Sequence, residues 1–171
     1  MLDDLKNKTI LVTGASRGIG AEISKKLCSL GAHVIANYRT DNEHLHKLKN
    51  ECKVMNGQLT CLQFDIVDLK SAKEQINNFL KNHGPIHGLV NNAGISKDTL
   101  ALRVKEEEVD QILSINLKSA MMITNFLTRN FLKTKSASVV NISSIVGLMG
   151  NASQTVYSAS KAGLIGYKVI C

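Results

Sequence analysis

Short apolar runs of strand length alternate along this chain with longer stretches in which apolar residues recur every three or four positions. The run at 8–14, KTILVTG, is rich in β-branched residues and stops at Gly14. At 18–31, Ile19, Ile23 and Leu27 follow at spacings of four and Leu30 at three, which predicts one buried helix face, with Gly31 as its stop. The same alternation continues to the end of the chain. Strands are predicted at 32–38, 59–65, 86–94 and 136–144, and helices at 42–52, 69–84, 105–133 and 155–167. Glu106 to Glu108 suit the positive amino end of the long helix. Five strands each followed by a helix predict an α/β fold, a doubly wound parallel sheet in three αβα layers, with the whole chain as one domain. In such sheets ligands sit beyond the carboxyl ends of the strands. The loops after the first, fourth and fifth strands carry the chemistry described below, so they are expected to gather at one edge.

Composition narrows this picture. The 171 residues are enough for a sizeable core, and 4% aromatic content without Trp makes that core aliphatic. No apolar run approaches about 20 residues, so no membrane span is predicted. The amino terminus, MLDDLKNKTILVTG, resembles neither a signal peptide nor an Arg/Ser-rich transit peptide, which predicts a reducing interior compartment. Cys28, Cys52, Cys61 and Cys171 show no metal-ligand spacing and are expected to be free thiols. The net charge of +7 is scattered, without a dense basic run. It fits a solvated surface or a preference for anionic ligands better than a nucleic-acid-binding module.

The segment TGASRGIG follows the first strand and opens a helix. Gly14, Gly18 and Gly20 let the backbone approach a pyrophosphate, and the helix start offers it free N–H groups. Gly14, Ser16, Arg17, Gly18, Ile19 and Gly20 are therefore candidate cofactor contacts. The end of the second strand reads IANYRT. An acid there would bind the ribose hydroxyls of NAD; its absence, with Arg39 and Arg17 available to pair with a phosphate, points to NADP(H). Near the end of the chain, Tyr157 and Lys161 share a helix face through their spacing of four. An ammonium so placed favours tyrosinate and readies Tyr157 to exchange a proton with a carbonyl oxygen. Ser144, at the end of the fifth strand, could donate a hydrogen bond to the same oxygen.

Taken together, TGASRGIG, NNAG at 91–94, SIN ending at Asn116, Ser144 and YSASK resemble the short-chain dehydrogenase/reductase family nearly end to end, with a Rossmann-like fold. The longer stretches 91–117 and 141–167 resemble the β-ketoacyl-acyl-carrier-protein reductases and the related animal mitochondrial carbonyl reductases. The resemblance implies that Tyr157 is the general acid, that Ser144 orients the carbonyl, and that Lys161 binds the nicotinamide ribose. It implies that Asn116 holds a water relaying protons to Lys161, that Asp65 contacts the adenine, and that Asn91, Ala93 and Gly94 line the cofactor ribose and shore up the central sheet. The expected reaction is NADPH-dependent reduction of a 3-oxoacyl thioester, a quinone or another carbonyl. Lys133 and Lys135 could meet an acidic acyl carrier protein.

Family members run on past this chain's last residue, and KVIC at 168–171 does not resemble the expected helix continuation. The expectation is a truncated product whose fifth strand is an open sheet edge. The family's oligomer contacts would then belong to a full-length protein, as a homo- or hetero-oligomer. A second reading follows from this: a non-catalytic chain that binds cofactor weakly or modulates a full-length reductase subunit. The resemblance places the protein in the mitochondrial matrix or the cytoplasm.

Overall fold

The computed structural model describes residues 5–134 and 136–168. Five parallel strands form one sheet: β1 (Thr9–Val12), β2 (His33–Tyr38), β3 (Gln58–Gln63), β4 (Gly88–Asn91) and β5 (Ser138–Asn141), in the order β3-β2-β1-β4-β5. The helices are α1 (Gly18–Ser29), α2 (Glu43–Cys52), α3 (Leu69–His83), α4 (Glu106–Leu113), α5 (Ser119–Thr134), α6 (Val146–Met149) and α7 (Thr155–Gly166). β1 and β4 are buried throughout, as befits central strands covered on both faces, whereas β3 and β5 are the half-exposed edges. Alternate strand residues feed two cores. Leu11 and Ile35 pack with α3 and α5 through Ile76, Phe79, Ile123 and Leu127. Ile10, Val12 and Val34 pack on the other face with Cys28, Leu45 and Leu48 of α1 and α2.

The sheet reverses its direction of growth between β1 and β4, which opens a crevice at their carboxyl ends. The predicted doubly wound fold is thus present, with three local corrections. The buried face of α1 is Gly20, Ser24 and Cys28, one position beyond the predicted stripe, and Ile19 is 63% exposed. Gly20 is buried because α1 leans onto the first loop, where a Cβ would run into the Gly14 carbonyl and the Asn92 amide. The predicted helix over 105–133 is interrupted by a π turn at Ser114–Lys118. β5 ends at Asn141, so Ser144 lies three residues past the strand, in the turn before α6.

β5 has a neighbour only in β4 among the described residues, and Val140 is 48% exposed. Cys28, Cys52 and Cys61 are free thiols, and burial pushes the Cys28 thiol up to about 12. Lys135 and Cys171 lie outside the described residues; Lys133 is exposed on the last turn of α5. Among the described residues no helix is long and apolar enough to cross a membrane, and no group of three His, Cys, Asp or Glu side chains could hold a metal ion.

Candidate active site

The loops beyond all five strands line a cleft of about 590 Å³, within the range of small-molecule sites. Gly14, Ser16, Arg17, Gly18 and Ile19 form one wall. Arg39 and Asp65 stand at the end nearest β2 and β3, and Ala93 and Gly94 form the floor. Tyr157 and Lys161 close the other end from α7. A second groove, of about 680 Å³, runs along the open edge of β5 between Phe131 and Tyr167. It holds none of the candidate site residues.

The first loop turns sharply. Gly14 adopts φ +63°, and a Cβ there would lie 2.9 Å from Ala93 Cα, so glycine is required twice over. The loop is held by residues that sequence reading did not single out. The Gly14 N–H donates to Asn37 Oδ1 at 3.1 Å, and Asn37 Nδ2 donates to the Phe64 carbonyl at 3.0 Å. Asn92 Nδ2 donates to the carbonyls of Thr13 and Gly14 at 2.9 and 3.1 Å. The available signal was a buried polar residue at the end of an apolar strand: Asn37 is 2% exposed and Thr13 3%. Arg17 is extended ahead of α1, and no side chain caps that helix. Its first-turn N–H groups and positive end therefore remain available at the cleft wall.

At the other end, Lys161 is 4% exposed. Its Nζ donates to the Ile142 carbonyl at 2.7 Å and lies 5.7 Å from the centre of the Tyr157 ring. Burial lowers the Lys161 pKa from its ordinary value. The Lys161 carbonyl in turn accepts from Ser143 Oγ at 2.8 Å, fastening α7 to the chain just past β5.

Four predicted residues do not line the cleft. Gly20 packs beneath the first loop, as described. Asn91 lies in the sheet, where Nδ2 donates to Thr124 Oγ1 at 3.1 Å and Asn141 Oδ1 at 2.9 Å; Asn92 takes its place at the cleft. Ser144 is displaced beyond the strand end, its Oγ accepting from the Val146 N–H at 3.4 Å, and Ser143 lines the cleft instead. Asn116, 1% exposed in the π turn, clamps the backbone after β4: Ile95 N–H donates to Oδ1 at 2.8 Å, and Nδ2 donates to the Ile95 carbonyl at 2.9 Å. Nδ2 also donates to Ser160 Oγ at 3.0 Å, tying the π turn to α7. Gly94 sits between the two halves: a Cβ there would lie 3.2 Å from Asn116 Oδ1 and 3.6 Å from Lys161 Nζ.

The chain is similar to known proteins over most of its length. The family model described as short chain dehydrogenase matches residues 8–169. A 3-oxoacyl-(acyl-carrier-protein) reductase FabG from Staphylococcus epidermidis is 39% identical over 160 residues, covering 94% of this chain and 66% of its own length. The enzyme of that name from Rickettsia conorii is 41% identical, covering 95% of this chain and 64% of its own. The chain thus spans somewhat less than two thirds of the length of these curated relatives. Among solved structures, a metagenomic short-chain oxidoreductase in complex with NADP superposes with a TM-score of 0.88 at 34% identity, covering 95% of this chain and 73% of that one. A candidate short-chain alcohol dehydrogenase from Sinorhizobium meliloti superposes with a TM-score of 0.90 at 32% identity, covering 97% and 66%.

Proposed function

Because the chain belongs to the short-chain dehydrogenase family, we propose that its cleft binds NADP(H) and reduces a carbonyl, with the 3-oxo group of a carrier-bound 3-oxoacyl thioester as the favoured substrate. The observation that carries this reading is the shared cleft: the glycine loop, two arginines and the Tyr157–Lys161 pair line one cavity. The residues suit the cofactor. The uncapped start of α1 and the close turn at Gly14 suit a pyrophosphate, and Arg17 and Arg39, with no acid at the end of β2, suit a 2′-phosphate. Asp65 is assigned to the adenine end, and Ala93 and Gly94 to the ribose.

The bound dinucleotide would supply the hydride. Tyr157 gives its hydroxyl proton to the oxygen that becomes the alcohol. Lys161, held by the Ile142 carbonyl, keeps a positive charge beside Tyr157 while negative charge develops there. Ser144 is assigned to the carbonyl oxygen; its Oγ accepts the Val146 N–H, which leaves its own O–H to donate. Asn116 is assigned to proton resupply and already holds the backbone between itself and α7. The choice of a carrier-bound thioester rests on the names of the curated relatives. Exposed Lys133 is the described candidate for meeting the acidic carrier. The relatives named here are bacterial, which favours the cytoplasm over the mitochondrial matrix.

Reduction of acetoacetyl thioester by the purified chain, followed by NADPH absorbance, tests the reading. Tyr157→Phe is expected to lower turnover about 10² to 10⁴-fold while NADPH still binds. Equal rates in the two proteins would remove Tyr157 from the chemistry. A second reading, a cofactor-binding partner of a longer reductase subunit, is favoured by the open edge of β5. NADPH binding without turnover, with activity altered in a longer subunit, would support it.

A further inference from the structure

The chain from Ile95 to Val104 links β4 to α4, and it is fastened at several points. Asn116 clamps Ile95. Lys97 Nζ lies 2.9 Å from the carboxylate of Glu108, which is 6% exposed. Hydrogen bonds from Thr99 and then Lys97 hold the Glu108 carboxyl below its ordinary range. Two further contacts cross to the segment that leads into α7. The Thr99 N–H donates to the Ser153 carbonyl at 2.7 Å, and Gln154 Nε2 donates to Asp98 Oδ1 at 2.8 Å. Asp98 and Gln154 are 56 residues apart in sequence.

Gln154 is fixed at both ends of its side-chain amide. Its Oε1 accepts from Asn151 Nδ2 at 3.0 Å, so Nε2 is the end left to meet Asp98, whose carboxylate can only accept. Ser96 Oγ donates to the same Asp98 oxygen at 3.4 Å. The Gln154 carbonyl accepts the Ser158 N–H at 2.8 Å, in the opening turn of α7. Tyr157 lies in that turn, three residues beyond Gln154.

We propose that Asp98 and Gln154 are positioning residues for the reduction: their hydrogen bond ties the loop after β4 to the opening turn of α7 and so sets where Tyr157 presents its hydroxyl. This rests on the function proposed above. The bond is solvent-exposed, so it contributes little to global stability. Reaction rate is far more sensitive than stability to a small displacement of a reacting group. A purely structural bond would therefore show in the melting temperature, and a positioning bond in kcat.

Gln154→Glu removes the donor and sets a second carboxylate against Asp98, while keeping an acceptor for Asn151. Adding Asp98→Asn restores one donor and one acceptor with the polarity of the bond reversed. Gln154→Glu is expected to lower kcat roughly ten- to a hundredfold, with the melting temperature and NADPH affinity close to wild type. The double variant is expected to recover most of that loss. Wild-type kcat in Gln154→Glu, or a double variant as slow as the single one, would overturn the proposal. So would kcat and melting temperature falling together. If the wild-type chain turns over no substrate, the proposed function fails and amide exchange in the opening turn of α7 decides this point alone. Faster exchange in Gln154→Glu, slowed again in the double variant, supports the tie; equal exchange in all three proteins overturns it.

Discussion

The hydroxyl of Thr13 accepts the N–H groups of Asn92 at 3.0 Å and Ala93 at 3.1 Å and donates to the Val90 carbonyl at 3.3 Å. One side chain thus satisfies three backbone groups where the loops after β1 and β4 cross. That is the full capacity of a hydroxyl. Thr13→Val keeps the shape but leaves the two N–H groups without their acceptor. It should cost about 1–3 kcal/mol for the orphaned groups, read as a lower urea midpoint. Thr13→Ser keeps the hydroxyl and loses one methyl, at about 1 kcal/mol. If the two substitutions cost the same, the hydroxyl is not what holds the crossing. Thr13 was legible only in part. The sequence shows a threonine inside an apolar run, but its partners lie 77 to 80 residues away, and spacing carries no information at that distance. Tyr157 and Lys161 were legible because both lie on one helix, four residues apart.

At the scale of elements, the positions of the strands were readable because most are short apolar runs ended by polar or glycine residues. The π turn at Ser114–Lys118 was not, because hydrophobic periodicity passes through it unbroken. Glu108, Ile112, Asn116, Ala120 and Thr124 are all buried at successive spacings of four. A regular α-helix would carry such a row about 40° around its axis at each step. The wider π turn absorbs part of that drift and keeps Asn116 in line with its neighbours on the buried side. Three of the five are polar, so the row does not stand out as a hydrophobic pattern in the sequence. Asn116→Ala would leave the Ile95 N–H and carbonyl unpaired and remove the bond to Ser160. It should destabilise the fold by about 2–4 kcal/mol, toward the upper end for a point substitution, and lower turnover as well. Asn116→Asp keeps an acceptor for the Ile95 N–H but no donor, so its stability should fall between the two. An alanine variant as stable as wild type would show that the π turn does not depend on this clamp. Ser144 was misplaced for a related reason: the stretch predicted as a strand at 136–144 extends beyond the four residues that pair with β4, and pairing cannot be read from one strand alone.

Across the whole molecule, a parallel sheet has two unlike ends. The carboxyl ends of the strands hold the cleft, and the amino ends gather His33, His83 and His87 around a smaller polar pocket with Thr9 and Gln58. His87 Nδ1 accepts the Thr9 N–H at 3.1 Å, so it must be unprotonated to hold the start of β1. His33 Nε2 lies 2.8 Å from Thr60 Oγ1, bridging β2 to β3, and faces the His83 ring at 6.0 Å. Burial lowers the pKa of both His33 and His87 from 6.5, helped by His83 in the first case and by Lys8 in the second. Between each lowered value and 6.5 the unfolded chain binds more protons than the folded one, so stability increases with pH there. Acidification from pH 7 should therefore cost stability as these histidines take up protons, with the loss levelling off below their folded values. His33→Gln with His87→Asn keeps polar atoms near the same positions without titrating. Urea midpoints at pH 7 and pH 5 should then fall less in this double variant than in wild type. Parallel losses in the two proteins would show that these histidines do not set the acid sensitivity between pH 7 and pH 5; Glu108, whose pKa is lowered from 4.5, keeps its stabilisation through that window and loses it only at lower pH.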